Sequence, residues 1–266
     1  MKTVIVIPAR YASTRFPGKP LHPINGVSML ARTVSAARQA GARTGAQVLV
    51  ATDDERIAAH AREIGVEPVM TDPDLPSGTD RCRAAMEIAA PDADFIVNLQ
   101  GDAPFTPPDH VAALIDSAGK GDVVTPVIQL SWGALDALRE NKKTTPFSGT
   151  TCIRGADGRA LWFSKIILPA MRNEIKLREA GELSPVLQHV GLYGYSRPAL
   201  ERIATLPLSR YEELEGLEQL RFIENGLSVH AVPVRASELP SAGIDTPEDA
   251  DRATRILQSM GDPYRP

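Results

Sequence analysis

Cysteine is nearly absent from this sequence: its 266 residues hold only Cys82 and Cys152. That excludes a disulfide framework and a zinc site of Cys spacing. Long apolar runs are missing too. Val4-Ile5-Val6-Ile7 is stopped by Pro8 and Arg10, far short of a membrane span and too short for a secretory signal core. The chain therefore reads as soluble, untargeted and cytoplasmic, with no membrane partner. No Gly-x-Ser-x-Gly, His-Glu-x-x-His, Cys-x-x-Cys or Gly-x-Gly-x-x-Gly occurs, which removes the commonest hydrolase, zinc-peptidase, redox and dinucleotide readings. Acidic residues are missing from the whole of the first 52 positions.

What is present is ordinary globular usage, 43% apolar and 23% charged, which excludes disorder for the bulk of the chain. The length allows one large domain or two modest ones. A net charge of −4 argues against nucleic-acid binding. Its distribution is uneven. Residues 1–52 carry seven cations (Lys2, Arg10, Arg15, Lys19, Arg32, Arg38 and Arg43), and the rest hold 22 bases against 33 acids. Either an anion site lies near the N-terminus or these are solvated helix arginines.

The first half alternates strand and helix patterns. Strands are expected at residues 3–7, 47–52, 67–70, 95–99 and 122–127. Helices are expected at 28–40, with Ser28 as cap and Gly41 as stop, then at 54–64, 80–89 and up to residue 118. Strands separated by such helices indicate βαβ units and a mostly parallel sheet. Beyond Trp132 the pattern becomes a hairpin, 150–154 and 160–163 around Gly155–Gly158, then a strand at 189–195. An amphipathic helix at 211–225 and a strand at 228–234 follow. Thr246-Pro247-Glu248-Asp249 opens a capped terminal helix. Trp162 and Phe163 of the hairpin suit either an apolar interface or a core.

Ligands of open α/β sheets bind beyond the carboxyl ends of strands, and three loops there carry unusual chemistry. The stiff run from Pro8 to Pro20 holds Arg10, Ser13, Arg15 and Lys19, cations and hydroxyls suited to a triphosphate. It is not a P-loop, because Gly18-Lys19 is followed by Pro. Gln100-Gly101-Asp102 puts a carboxylate at a strand end, where it serves as a Mg²⁺ ligand or as an ordinary turn residue. Asp245 precedes the terminal helix, where it complements the helix dipole or joins Asp102 on a metal. The five histidines are scattered.

The run IPARYASTRFPGKPL (residues 7–21) resembles the signature of the 3-deoxy-manno-octulosonate (Kdo) cytidylyltransferases. The likeness continues in order through ATDDERIA (51–58), SGTDR (77–81), VNLQGD (97–102), HVGLYGY (189–195), LEQLRFIENG (217–226) and GIDTPED (243–249). The resemblance implies a Rossmann-like α/β nucleotidyltransferase fold, with helices on both faces of a mostly parallel sheet and a smaller β-rich, dimerising second half. It implies one domain over residues 1–266, with CTP bound by 1–130 and the sugar by 131–266, usually in a homodimer. The implied reaction is attack of the sugar's anomeric hydroxyl on the α-phosphate of CTP, with Mg²⁺ as cofactor, yielding CMP-Kdo for lipopolysaccharide or capsule. Carried over, Arg10, Ser13, Arg15 and Lys19 hold the triphosphate, while Ser77, Gly78 and Arg81 line the cytosine pocket. Lys19, Asp102 and Asp245 form the catalytic set, with the two aspartates as metal ligands. Gln100, His189, Tyr193, Glu215 and Gln219 face the sugar; Glu215 and Gln219, four apart, share one face of the expected helix.

Some positions depart from the family pattern. Ala103 stands where Glu is usual, the 145–154 segment lacks the Asn-x-x-x-Val-Lys-Val run, Lys165 replaces Arg, and Ala170 replaces an aromatic. All but Ala103 fall in the second half. Two alternatives follow: the same transfer to another ulosonic acid (8-amino-Kdo, Kdn or a sialic-acid-like sugar), or a nucleotide-binding protein without catalysis.

Overall fold

Four consecutive residues, Val4 to Ile7, are all buried, as only a strand covered on both faces allows. Val4 and Val6 join one hydrophobic cluster, while Ile5 and Ile7 join another. The same alternation recurs at Leu49 and Ala51 against Val50, following the two-residue period of a strand.

The computed structural model describes every residue except 13, 14, 238, 240–242, 263, 264 and 266. Its strands are β1 (Thr3–Pro8), β2 (Pro23–Ile24), β3 (Val27–Ser28), β4 (Gln47–Thr52), β5 (Glu67–Met70), β6 (Phe95–Asn98), β7 (Val123–Ser131), β8 (Thr151–Arg154), β9 (Ala160–Ser164), β10 (Leu183–His189), β11 (Tyr193–Ser196) and β12 (Val229–Val234). The helices are α1 (Met29–Thr44), α2 (Glu55–Glu63), α3 (Gly78–Ala89), α4 (Pro108–Asp116), α5 (Trp132–Thr144), α6 (Glu174–Ala180), α7 (Arg197–Ile203), α8 (Arg210–Glu215), α9 (Glu218–Glu224) and α10 (Pro247–Met260).

Strands β5, β4, β1 and β6 run parallel in that spatial order. Strand β11 is antiparallel to both β6 and β7, and β12 closes the other edge of β7 in parallel. The hairpin β8–β9 extends the sheet antiparallel through β10. Helices α3, α7 and α9 cover one face and α1, α2, α4 and α5 the other. This is the α/β layering expected above, with helices on both faces of a sheet in which most strands run in one direction. A third cluster (Phe16, Ile24, Met29, Phe105, Leu239, Ile244, Ala250, Ala253 and Leu257) packs α10 beneath the loops that follow β1 and β6. Among the described residues no helix is long and apolar enough to cross a membrane.

Three expectations need correction. Helix α1 runs on through Gly41 and stops at the left-handed Gly45. A Cβ on Gly41 would sit 2.7 Å from the Ala46 carbonyl, so glycine there permits close packing rather than a stop. The strand expected at 189–195 is two strands, because the chain leaves β10 after His189 and re-enters the sheet as β11. The helix expected at 211–225 is broken at Gly216, whose φ of 62° lies in the left-handed region, and its halves become α8 and α9. Helices α5, α6 and α7 were not anticipated. Phe163 fills the core, while Trp162 meets the Tyr211 ring edge-on at 5.0 Å.

Candidate active site

The carboxyl ends of β1 and β6 lie side by side, with the Leu99 N–H donating to the Val6 carbonyl at 3.0 Å. Their loops therefore leave together. A Cβ on Gly101 would lie 2.7 Å from the Pro8 carbonyl, so only glycine lets the two loops touch. That contact brings Asp102 beside the cationic loop. The Ile244 N–H donates to the Asp102 carbonyl at 2.9 Å, which draws the chain before α10 alongside. The capping box of α10 fixes the next residue: Asp249 Oδ2 accepts from the N–H groups of Asp245 (3.2 Å) and Thr246 (3.1 Å).

The result is a convergence that spacing alone cannot show. Lys19 Nζ lies 2.8 Å from Asp102 Oδ2 and 3.2 Å from Asp245 Oδ1. Arg15 Nη2 stands 3.3 Å from Asp245 Oδ1. Arg10 is exposed and makes no ion pair among the described residues. Ser13 lies outside the described residues.

These groups border a cavity of about 370 Å³ lined also by Ser77, Gly78, Arg81 and Gln100. Ser77 caps α3, its Oγ accepting from the Asp80 N–H at 3.0 Å, so the positive end of that helix borders the cavity. Gly78 faces the Gln100 amide across 3.4 Å of would-be Cβ contact. Arg81 is buried and donates to Asp53 at 3.0 Å and to Thr71 at 2.5 Å. It shapes the wall from an occupied position.

A second cavity of about 600 Å³ shares Gln100 and Asp102 with the first. His189, Tyr193 and Gln219 line it, together with Glu218, Thr106, Asn141, Ser148, Gly149, Thr150 and Gln188. The Tyr193 hydroxyl donates to Gln219 Oε1 at 2.9 Å. Gln219 Nε2 is buried and has no acceptor among the described residues. The Thr125 hydroxyl donates to the Leu192 carbonyl at 2.8 Å. Having spent its one proton, it accepts from His189 Nε2 at 2.8 Å. His189 then presents Nδ1 as an acceptor. Burial, aided by the nearby Lys165 charge, holds its pKa down to about 3, so this ring is neutral at physiological pH.

Glu215 does not join its expected partners. The break at Gly216 turns it away, and its carboxylate accepts from Ser164 Oγ and the Lys165 N–H, both at 2.7 Å. It holds the end of β9. Glu218 occupies the cavity wall instead, accepting from Thr79 Oγ1 (3.0 Å) and Arg221 Nη2 (2.9 Å). Burial pushes its pKa up. The signal for Glu218 was available in the sequence: a glycine inside the expected helix, followed by Leu217-Glu218-Gln219.

Comparison with known proteins identifies the family. A family model described as cytidylyltransferase matches residues 4–230. A 3-deoxy-manno-octulosonate cytidylyltransferase of Maricaulis maris is 40% identical over 266 residues, 98% of this chain and 99% of that protein. One of Cytophaga hutchinsonii is 40% identical over 253 residues, 94% and 96% of the two chains. A solved structure of CMP:2-keto-3-deoxy-manno-octonic acid synthetase complexed with CTP superposes with a TM-score of 0.81. It is 34% identical and covers 97% of this chain and 99% of its own.

Proposed function

On the premise that this chain belongs to the cytidylyltransferase family, we propose that its two joined cavities hold CTP and Kdo for transfer of CMP. The anomeric hydroxyl of Kdo attacks the α-phosphate of CTP, and pyrophosphate leaves. The observation that carries the site assignment is the single ammonium of Lys19 on both Asp102 and Asp245, at the edge shared by the cavities. Residues 1–130 supply most of the first cavity and residues 131–266 most of the second, with Asp245 crossing to the first.

Transfer at phosphorus asks mainly for positioning and charge neutralisation. Arg10, Arg15 and Lys19 meet that need for the triphosphate, and Ser77, Gly78 and Arg81 enclose the base. Gln100, His189, Tyr193, Glu218 and Gln219 take the sugar: neutral His189 accepts, and Glu218 accepts from hydroxyls. The Lys19 ammonium stands in for a cation between the aspartates. Among the described residues no third His, Cys, Asp or Glu joins them. Two carboxylates suit Mg²⁺, which completes its shell with substrate oxygens and water. When bound, Mg²⁺ polarises phosphoryl oxygens and acidifies a neighbouring hydroxyl, which leaves no obligatory role for a side-chain base. The reaction belongs in the cytoplasm, where CTP is made.

Pyrophosphate release measured in parallel with Kdo, 8-amino-Kdo and sialic acid tests the acceptor. Turnover is expected with Kdo. Turnover with another acid and none with Kdo rejects this acceptor, and CTP binding without pyrophosphate from any acid supports a non-catalytic protein.

The apolar side chains Leu208, Tyr211 and Leu214, on and before α8, are exposed, surface that a monomer would leave wet. We assign it to a homodimer. Light scattering is expected to give twice the 28.6 kDa chain mass; a single-chain mass at micromolar concentration would refute the assignment.

A further inference from the structure

Lys142 lies in the last turn of α5, and its ammonium is turned to backbone oxygens. It donates to the carbonyls of Lys165 (2.6 Å), Gly149 (3.1 Å) and Pro146 (3.3 Å), and to that of Ser148. No carboxylate pairs with it among the described residues, and partial burial lowers its pKa. A lysine near a helix C-terminus commonly binds the last carbonyls of its own helix. Here all four carbonyls lie beyond α5, which ends at Thr144.

The chain it gathers has little else to anchor it. Residues 145–147 are exposed, Phe147 included, and their other bonds are local, such as Ser148 N–H to the Thr145 carbonyl at 3.0 Å. Yet Ser148, Gly149 and Thr150 form a wall of the second cavity, the one that holds Tyr193 and Gln219. Lys142 itself lines neither cavity. It stands behind the wall.

We propose that Lys142 is a positioning residue for the acceptor sugar: its ammonium gathers the carbonyls of Pro146, Ser148, Gly149 and Lys165 and thereby sets the wall against which the sugar binds. This rests on the reading of the second cavity as the Kdo site. Lysine suits the task because its compact ammonium points three protons at converging oxygens, whereas a flat guanidinium would splay them.

The test is Lys142→Met, which keeps length and removes charge. The KM for Kdo is expected to rise about tenfold, since displacement by about an ångström is costly in a positioned site. The KM for CTP should stay within about twofold, as none of residues 145–150 lines the first cavity. Hydrogen exchange without substrates should show protection lost at residues 145–150 and kept elsewhere. Lys142→Cys alkylated with bromoethylamine rebuilds an ammonium of nearly the same reach and should restore both readouts. Cys82 and Cys152 are buried, with thiol pKa values pushed up, to about 12 for Cys152, so the new thiol reacts selectively. An unchanged KM for Kdo, an equal rise for both substrates, or a Met variant that fails to fold overturns the proposal. If the parent chain turns over no Kdo, the cavity assignment fails instead, and the exchange data still judge the wall.

Discussion

Asp102→Asn is expected to fold like the parent chain and to lose about a thousandfold in kcat. The substitution keeps the side chain's shape and leaves the Asp102 carbonyl free to accept from Ile244, so the junction with α10 survives. It removes one of the two negative charges that converge on a single cation position. Electrostatic stabilisation by a bound metal is worth several kcal/mol, and each 1.36 kcal/mol is a factor of ten in rate; losing half of its carboxylate ligands accounts for the expected size. Stability should barely change. The Asp102 side chain is about one-third exposed, at 34%, and ion pairs of that kind contribute roughly 0–1 kcal/mol. Pyrophosphate release and a circular-dichroism melt on the same preparation make the check. Near-parental turnover would remove Asp102 from the metal site, and a collapsed melt would show that the loss was structural.

The largest effect on stability is expected far from the chemistry, at Asp262→Ala. The Arg32 side chain is fully buried and meets the Asp262 carboxylate in a fork, Nη1 to Oδ1 at 2.8 Å and Nη2 to Oδ2 at 2.6 Å. Its Nε proton and the second Nη2 proton go to the Ile24 carbonyl. Removing the carboxylate strands a buried guanidinium, a change that typically costs about 3–5 kcal/mol. In a chain of this size that lowers Tm by roughly 10 °C. Replacing both partners, Arg32→Met with Asp262→Leu, should recover most of the loss, because an uncharged pair has no desolvation penalty to offset.

The pH dependence follows in sign. Hydrogen bonds from Arg32 hold Asp262 below the usual carboxylate range. Its folded pKa is therefore lower than its unfolded one, so the stabilisation is fully present above about pH 4 and fades as pH falls through the folded value. The parent should lose Tm more steeply below pH 4 than Asp262→Ala does. A variant melting within about 2 °C of the parent would show that the fork adds little. The pair also bears on the site. Ile24 packs with Phe16, Phe105 and Ile244, which lie next to or near the residues that carry Arg15, Asp102 and Asp245.

Much of the fold was legible because strong local signals agreed with the tertiary outcome. The apolar run at Val4–Ile7 became the buried β1, Ser28 capped α1, and Thr246 with Asp249 formed the capping box of α10. The misreadings share a cause. At Gly41 the local rule for a helix stop lost to a close contact with Ala46. At Gly216 the amphipathic pattern on either side outweighed the glycine, a left-handed residue that turns Glu215 to β9 and Glu218 to the cavity. Periodicity reports which face is apolar; it does not say which chain that face will meet.

The sequence by itself determined the parallel α/β layering, the cationic first loop, and the acidic positions at a strand end and before a helix. Composition and period encode these, because burial and capping act over a few residues. Only the tertiary structure decided that Asp102 and Asp245, more than a hundred residues apart, share one ammonium, and that Lys142 stands behind the second cavity. Both depend on bonds between distant segments: the Ile244 N–H to the Asp102 carbonyl in one case, and the Lys142 ammonium to the carbonyls of Pro146, Ser148, Gly149 and Lys165 in the other. Contacts of that kind are set by how the sheet delivers its loops, and no local pattern records them.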